Sequence, residues 1–238
     1  MRKFLVLVLV GLVLGCVTTP TGVKKDARLC DSLEASPEAA VAACTRIIES
    51  GRAQHPAATI QNRGSHYKRM GRYGRAIRDF NEAIRLKSDQ ANFYTNRGGA
   101  YLAIKQYDRA LADFTDAIDL DPTDDKAYTR MGLTYVHQGK YGRAIIAYDE
   151  AVRINPGHPL HYRNRGAAYR LKGDCDNAFP DLDEALRLDP RDGASLINRG
   201  LCFERKGRRA LALRDFRQAY ALGYRMPILM ERLRHYGS

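Results

Sequence analysis

The triplet Asn-Arg-Gly occurs four times in this chain, with its glycines at Gly64, Gly98, Gly166 and Gly200. Gly132, behind Arg130-Met131, fills the gap, so the step between glycines is always 34 residues. A strict period of this length means that one supersecondary unit is repeated, and that no unit can bury its apolar face alone. The units must therefore stack. With each glycine at position 8, the five units are 57–90, 91–124, 125–158, 159–192 and 193–226. Position 11 is aromatic throughout: Tyr67, Tyr101, Tyr135, Tyr169, Phe203. Position 20 is always Ala (Ala76, Ala110, Ala144, Ala178, Ala212), as is position 27 (Ala83, Ala117, Ala151, Ala185, Ala219). Position 24 is large: Phe80, Phe114, Tyr148, Leu182, Phe216. Ile77, Phe80 and Ala83-Ile84 fall at i, i+3 and i+4, which is one helical stripe. Gly71, Gly139, Gly173 and Gly207 sit where a first helix must stop.

This pattern resembles the tetratricopeptide repeat over about 170 residues, with Pro122, Pro156 and Pro190 at position 32 of the inner repeats. The resemblance implies an all-α, right-handed solenoid of five helix-turn-helix repeats with a concave groove. Gly and Ala at positions 8 and 20 then allow close helix approach, and the residues at 11 and 24 fill the space beside them. The chain departs from the pattern at Ser88 and Tyr224, which stand at position 32 in place of proline. Pro180 lies about a turn into the second helix of repeat four, where it is expected to bend or delay that helix.

The sharpest departure is position 7, where the family usually has Leu. Here it reads Arg63, Arg97, Met131, Arg165, Arg199. Position 23 reads Asp79, Asp113, Ala147, Asp181, Asp215, so repeat three loses both charges together. An arginine on a packing face demands a partner. Structural Arg–Asp pairs are therefore expected within the other four repeats.

Position 6 is Asn62, Asn96, Arg130, Asn164, Asn198. In the family this position lines the groove. The amides could grip an extended peptide, or they could bond between neighbouring helices. Some relatives hold a terminal carboxylate with a clamp whose positions correspond here to Gln61, Ser65, Asn96, Lys126 and Arg130. The last three match the clamp, and cationic groups suit a carboxylate. The expected partner-binding groove is thus Asn62, Asn96, Lys126, Arg130, Asn164 and Asn198.

At the N-terminus, Arg2 and Lys3 precede an apolar run from Phe4 to Leu14. This is a signal-peptide pattern, too short to span a bilayer. Val13-Leu14-Gly15-Cys16 resembles the bacterial lipobox, which implies cleavage after residue 15 and lipid attachment at Cys16. Removing Arg2 and Lys3 lowers the net charge from +12 to +10. Residues 16–28 read as a lipidated tether and 29–56 as an N-terminal helical cap, with Ser36 as N-cap and Pro37 at the first helical position. Residues 227–238 read as a C-terminal cap. Cys30, Cys44, Cys175 and Cys202 are an even set, and in an exported chain that suggests disulfides. Cys30 and Cys44 fall on the two helices of the cap and are expected to pair. Cys175 and Cys202 could join position 17 of repeat four to position 10 of repeat five. Without a CxxC pair, no metal site is expected.

The six histidines form no HExxH, and the chain has no GxSxG and no glycine-rich phosphate loop. No enzyme and no cofactor is expected. The resemblance and the export signal together imply a scaffold in the bacterial envelope. Its anchor would lie in the outer membrane, facing the periplasm, and its groove would bind a peptide or helix of another envelope protein. Nucleic acid is not expected as a partner outside the cytoplasm. The alternative is a binder of anionic envelope polymer, motivated by the basic charge.

Overall fold

In the computed structural model, residues 20–237 are described and form an α-helical array. Cys16 and the signal sequence lie outside the described residues. The helices pair in sequence. α1 (Pro20–Asp31) and α2 (Pro37–Glu49) form the N-terminal hairpin. The five repeats follow as α3 (Pro56–Arg69) with α4 (Tyr73–Leu86), α5 (Ala91–Ala103) with α6 (Tyr107–Leu120), α7 (Asp125–His137) with α8 (Tyr141–Ile154), α9 (Pro159–Lys172) with α10 (Cys175–Leu188), and α11 (Gly193–Arg205) with α12 (Arg209–Ala221). α13 (Pro227–Gly237) closes the array. Each helix packs on the next, and the first helices also meet one another along the series α3–α5–α7–α9–α11. In a curved stack the closer-spaced side is the inner one, so these first helices form the concave wall.

Close approach explains the position-8 glycines. A Cβ on Gly98 would lie 2.7 Å from Phe114 Cε1, and one on Gly200 would lie 2.5 Å from Phe216 Cε1. A real side chain would collide with the ring, so the second helix settles against bare backbone. Phe80, Phe114, Tyr148, Leu182 and Phe216 are all buried there.

Every first helix ends in the same way. In repeat one Gly71 N–H donates to Lys68 O at 3.0 Å and Arg72 N–H to Tyr67 O at 2.9 Å. This crossed pair satisfies two orphan carbonyls and needs a left-handed residue at C′. Gly71, Gly139, Gly173 and Gly207 supply it. In repeat two the same position is Lys105, at φ 60°.

Two sequence expectations require correction. The segment 16–28 is not a tether over its described part, because α1 begins at Pro20. Tertiary contact overrides its weak helix-forming composition. Asp26 is buried and accepts from Arg46 of α2 at 2.9 and 2.5 Å, and the Cys30–Cys44 disulfide ties the two helices together. Pro180 neither delays nor ends α10, which starts at Cys175, in register with Tyr73, Tyr107 and Tyr141. Proline removes only one helical hydrogen bond, and exposed Pro180 leaves buried Asp181 and Leu182 undisturbed. A second disulfide, Cys175–Cys202, joins α10 to α11. At the far end Leu229 of α13 is fully buried against the cluster containing Phe216 and Leu196, so the last helix covers an otherwise open face.

Lys105 tests the stop signal. Placing a side chain in the left-handed region costs about 1–2 kcal/mol, and part of any gain from glycine is lost to unfolded-state entropy. Lys105→Gly is expected to raise stability by about 1 kcal/mol in chemical denaturation, and Gly139→Lys to lower it by a similar amount.

Candidate functional site

The Arg–Asp pairs define which arginines are structural. Arg97 donates from Nη2 to Asp113 Oδ1 at 2.6 Å and from Nε to Asp113 Oδ2 at 3.0 Å. Arg63 reaches Asp79, Arg165 reaches Asp181 and Arg199 reaches Asp215 through the same fork. The third nitrogen points the other way. Arg97 Nη1 donates to Asn81 of the preceding repeat at 2.8 Å, Arg165 Nη1 to Asp149 at 2.8 Å, and Arg199 Nη1 to Asp183 at 2.6 Å. Each of these arginines therefore closes its own hairpin and links it to the one before. The linking arm escaped the sequence reading, although a signal was present. Position 25 is Asn81, Asp149 and Asp183 ahead of an arginine, and Thr115 ahead of Met131. Hydrogen bonding to Asp181 holds the Arg165 guanidinium firmly charged.

The concave wall carries a different set of cations. Lys68, in the last turn of α3, donates from Nζ to Asn96 Oδ1 at 2.9 Å. Arg170, in the last turn of α9, donates from Nε to Asn198 Oδ1 at 2.7 Å. Lys68 and Arg170 occupy position 12 of their repeats, and each bonds the position-6 amide of the next. Arg130 reaches across to Thr95 O at 3.3 Å. A Cβ on Gly99 would lie 2.5 Å from Arg130 Nη1 and 3.8 Å from Lys68 Nζ, so both cations face one small space. Among the described residues no carboxylate bonds any of the three. Burial, reinforced by the charge of Arg130, pulls the Lys68 ammonium down to about 8. Burial also lowers the pKa of Arg130 and Arg170, against the pull of Asp124 on Arg130. A concavity of about 340 Å3 opens beside Lys68 and Asn96, lined also by Asp31, Leu33 and Ser65.

The structure thus places the sequence-derived groove residues unequally. Asn62, Asn96 and Asn198 are engaged between helices, Asn62 by donating to Asp31 at 2.9 Å. Asn164 is half-buried and makes no side-chain hydrogen bond among the described residues. Asn96 is tied to Arg130 through Lys68, which bonds Asn96 and shares the space beside Gly99 with Arg130, whereas Lys126 is exposed. Gln61 and Ser65 bond each other at 3.2 Å. Lys68 and Arg170 were missed because position 12 has no periodic identity, reading Lys68, Leu102, Val136, Arg170, Glu204.

One buried cluster has the outline of a catalytic triad. His161 Nε2 lies 2.9 Å from Asp125 Oδ2, and its Nδ1 lies 3.0 Å from Thr129 Oγ1. His161 is 2% exposed, however, and the Thr129 hydroxyl donates back to Asp125 O at 2.8 Å. The cluster is a sealed joint between repeats three and four. Among the described residues no group of three or more His, Cys, Asp or Glu could hold a metal ion, and no helix is long and apolar enough to cross a membrane.

The family model for the tetratricopeptide repeat matches residues 62–125, 106–159, 129–191 and 163–223. The chain belongs to the tetratricopeptide repeat family. Its fold is shared with solved structures of that kind. A crystal structure of MamA is 26% identical, covering 65% of this chain and 90% of that one, with a TM-score of 0.59. MamA from Desulfovibrio magneticus RS-1, residue 41 to the end, is 22% identical over 71% of this chain and 96% of its own, at 0.62. YrrB, described as a TPR protein with an unusual peptide-binding site, is 20% identical over 80% of this chain and 97% of its own, at 0.62. No curated protein sequence matches the chain.

The Arg–Asp fork makes a sharp energetic prediction. The Arg97 and Asp113 side chains are 19% and 4% exposed, so leaving either alone strands a charge at about 3–5 kcal/mol. Arg97→Met and Asp113→Ala are each expected to destabilise on that scale. The double variant copies Met131 and Ala147 and is expected to recover most of the loss. Additive losses in a denaturation cycle would contradict the coupling.

Proposed function

We propose that this chain is a non-enzymatic scaffold of the bacterial envelope, anchored through a lipid on Cys16 in the outer membrane, that holds a segment of another envelope protein in its concave groove. The observation that carries this reading is the inner wall itself. Lys68, Arg130 and Arg170 line it, half-buried, and among the described residues no carboxylate bonds them. A buried charge left without a counter-charge is unfavourable, and a groove that retains three of them is suited to a ligand that supplies negative charge. Membership of the tetratricopeptide repeat family supports a protein partner, and YrrB, which shares the fold, is described as having a peptide-binding site. The export signal and Cys16 support the anchor and the compartment. The alternative ligand, an anionic envelope polymer, draws on the net charge of +12.

Site-specific photocrosslinking in the intact anchored protein tests the reading. A photoreactive residue at Asn164, on the inner wall, is expected to capture a protein partner. The same residue at exposed Arg78, on a second helix, is not. Equal capture from both positions would refute the groove, and saccharide adducts would favour the polymer. Cys16→Ser is expected to lose the acyl label and move to the soluble fraction. A wild-type protein without label would refute the anchor.

A further inference from the structure

We infer that the groove selects an extended acidic peptide, gripped at two stations three repeats apart: Lys68 with Asn96 and Arg130, and Arg170 with Asn198. The inference rests on the reading of the concave groove as a peptide site, and adds what that peptide must carry.

The two sets of cations are held differently. The position-7 arginines end on carboxylates, which neutralise them. Lys68 and Arg170 end on amide carbonyls, Asn96 Oδ1 and Asn198 Oδ1. A neutral acceptor fixes the direction of a cation without cancelling its charge. The C-terminal end of each first helix adds only about half a negative charge. At the first station, Arg130 brings a second positive charge to the same space beside Gly99. The groups facing Lys68 are Asp31 from α1, Asn96 from α5, Arg130 from α7, the Phe80 ring from α4 at 6.0 Å, and His66 and Arg69 of its own helix. His66 adds no charge. Arg69 Nη1 donates to its Nδ1 at 3.3 Å, so Nε2 carries the proton and donates to Cys30 O at 2.9 Å. Asp31 bonds the neutral Asn62 and so keeps its charge, and Asp124 acts on Arg130, but Lys68, Arg69 and Arg130 outnumber these two carboxylates. The station therefore keeps a net positive character that the fold itself leaves unsatisfied.

Spacing sets the ligand. Three repeats at roughly 8–10 Å per helix layer separate the stations by ~25–30 Å. An extended chain advances ~3.3 Å per residue, so two carboxylates about eight or nine residues apart would reach both. A side-chain carboxylate suffices at each station, and a free chain end is not required.

Selection of random peptides of about sixteen residues, displayed with their C-termini fused, against the immobilised full chain tests this. Enriched peptides are expected to carry two Asp or Glu residues at that spacing. A synthetic copy of the best peptide is expected to bind roughly tenfold more weakly to Lys68→Met and to Arg170→Met, in line with loss of one charged hydrogen bond each. Thermal melting of both variants should stay close to the parent. Affinity for the parent is expected to fall as the pH rises past about 8, where free Lys68 loses its proton, and Lys68→Met should remove that dependence. Peptides blocked by Asn164→Trp but indifferent to acidic residues would overturn the acidic-station inference and leave the groove intact. Enrichment that ignores Asn164→Trp, or no enrichment at all, would overturn the groove reading and this inference with it.

Discussion

The approach of two helices across a glycine sets the geometry of every repeat. At position 8 the first helix presents bare backbone, and the ring or branched chain at position 24 lies directly on it. That contact brings the neighbouring pair, positions 7 and 23, within reach of one bidentate fork. The Arg–Asp pairs are thus a consequence of the close approach, and they in turn constrain the stacking. Each fork fixes the hairpin, and the remaining nitrogen of Arg97, Arg165 and Arg199 reaches the preceding second helix. In an array whose stability is a sum of repeat and nearest-neighbour terms, one side chain contributes to both.

This arrangement sorts the charges of a chain with net charge +12. Arginines in the helix seam end on carboxylates, and the carboxylates are more deeply buried than their partners, Asp215 completely so. Those pairs hold shape and offer nothing to a ligand. The cations on the inner wall end on amides and a backbone carbonyl, so burial lowers their pKa values with no bonded carboxylate to raise them. The difference lies in the partner that each position meets, and only the second group can profit from an added anion.

How much of this is legible in the sequence depends on whether an interaction shares the 34-residue period. The glycine–aromatic contact, the helix stops and the Arg–Asp fork recur in register, and joint loss at Met131 and Ala147 marks the last of these as a pair. The Asn ladder recurs equally well, yet periodicity reports a position and not its partner. Asn96 and Asn198 meet cations, while at Asn164 the corresponding position-12 residue is Val136. The irregular position 12 therefore hides the residues that shape the groove. Helix α1 was unreadable for another reason. Its composition suits a flexible segment, and only contacts with α2, through Asp26–Arg46 and Cys30–Cys44, hold it as a helix.

Repeat three shows how small a change moves a residue from one role to the other. Elsewhere positions 6 and 7 read Asn-Arg; here they read Arg130-Met131. Advancing one residue turns the side chain by about 100° around a helix of 3.6 residues per turn. That rotation carries the guanidinium out of the seam and onto the inner wall. The seam is left apolar, with Met131 against buried Ala147, beside a shallow hollow lined by Tyr128, Tyr135 and Ile146, the last 66% exposed. Losing the ion pair need not weaken the repeat, because replacing a buried pair by well-packed apolar groups is often neutral or stabilising. The arm to repeat two is lost as well, since Thr115 stands where a neighbouring acceptor would be. Its place is taken on the inner-wall face of the helix, where Arg130 holds Thr95 O and Thr95 Oγ1 meets Asp124 Oδ2 at 3.0 Å. The junction between repeats two and three is thus tied from inside the groove, so a ligand that draws on Arg130 also touches the link between those repeats.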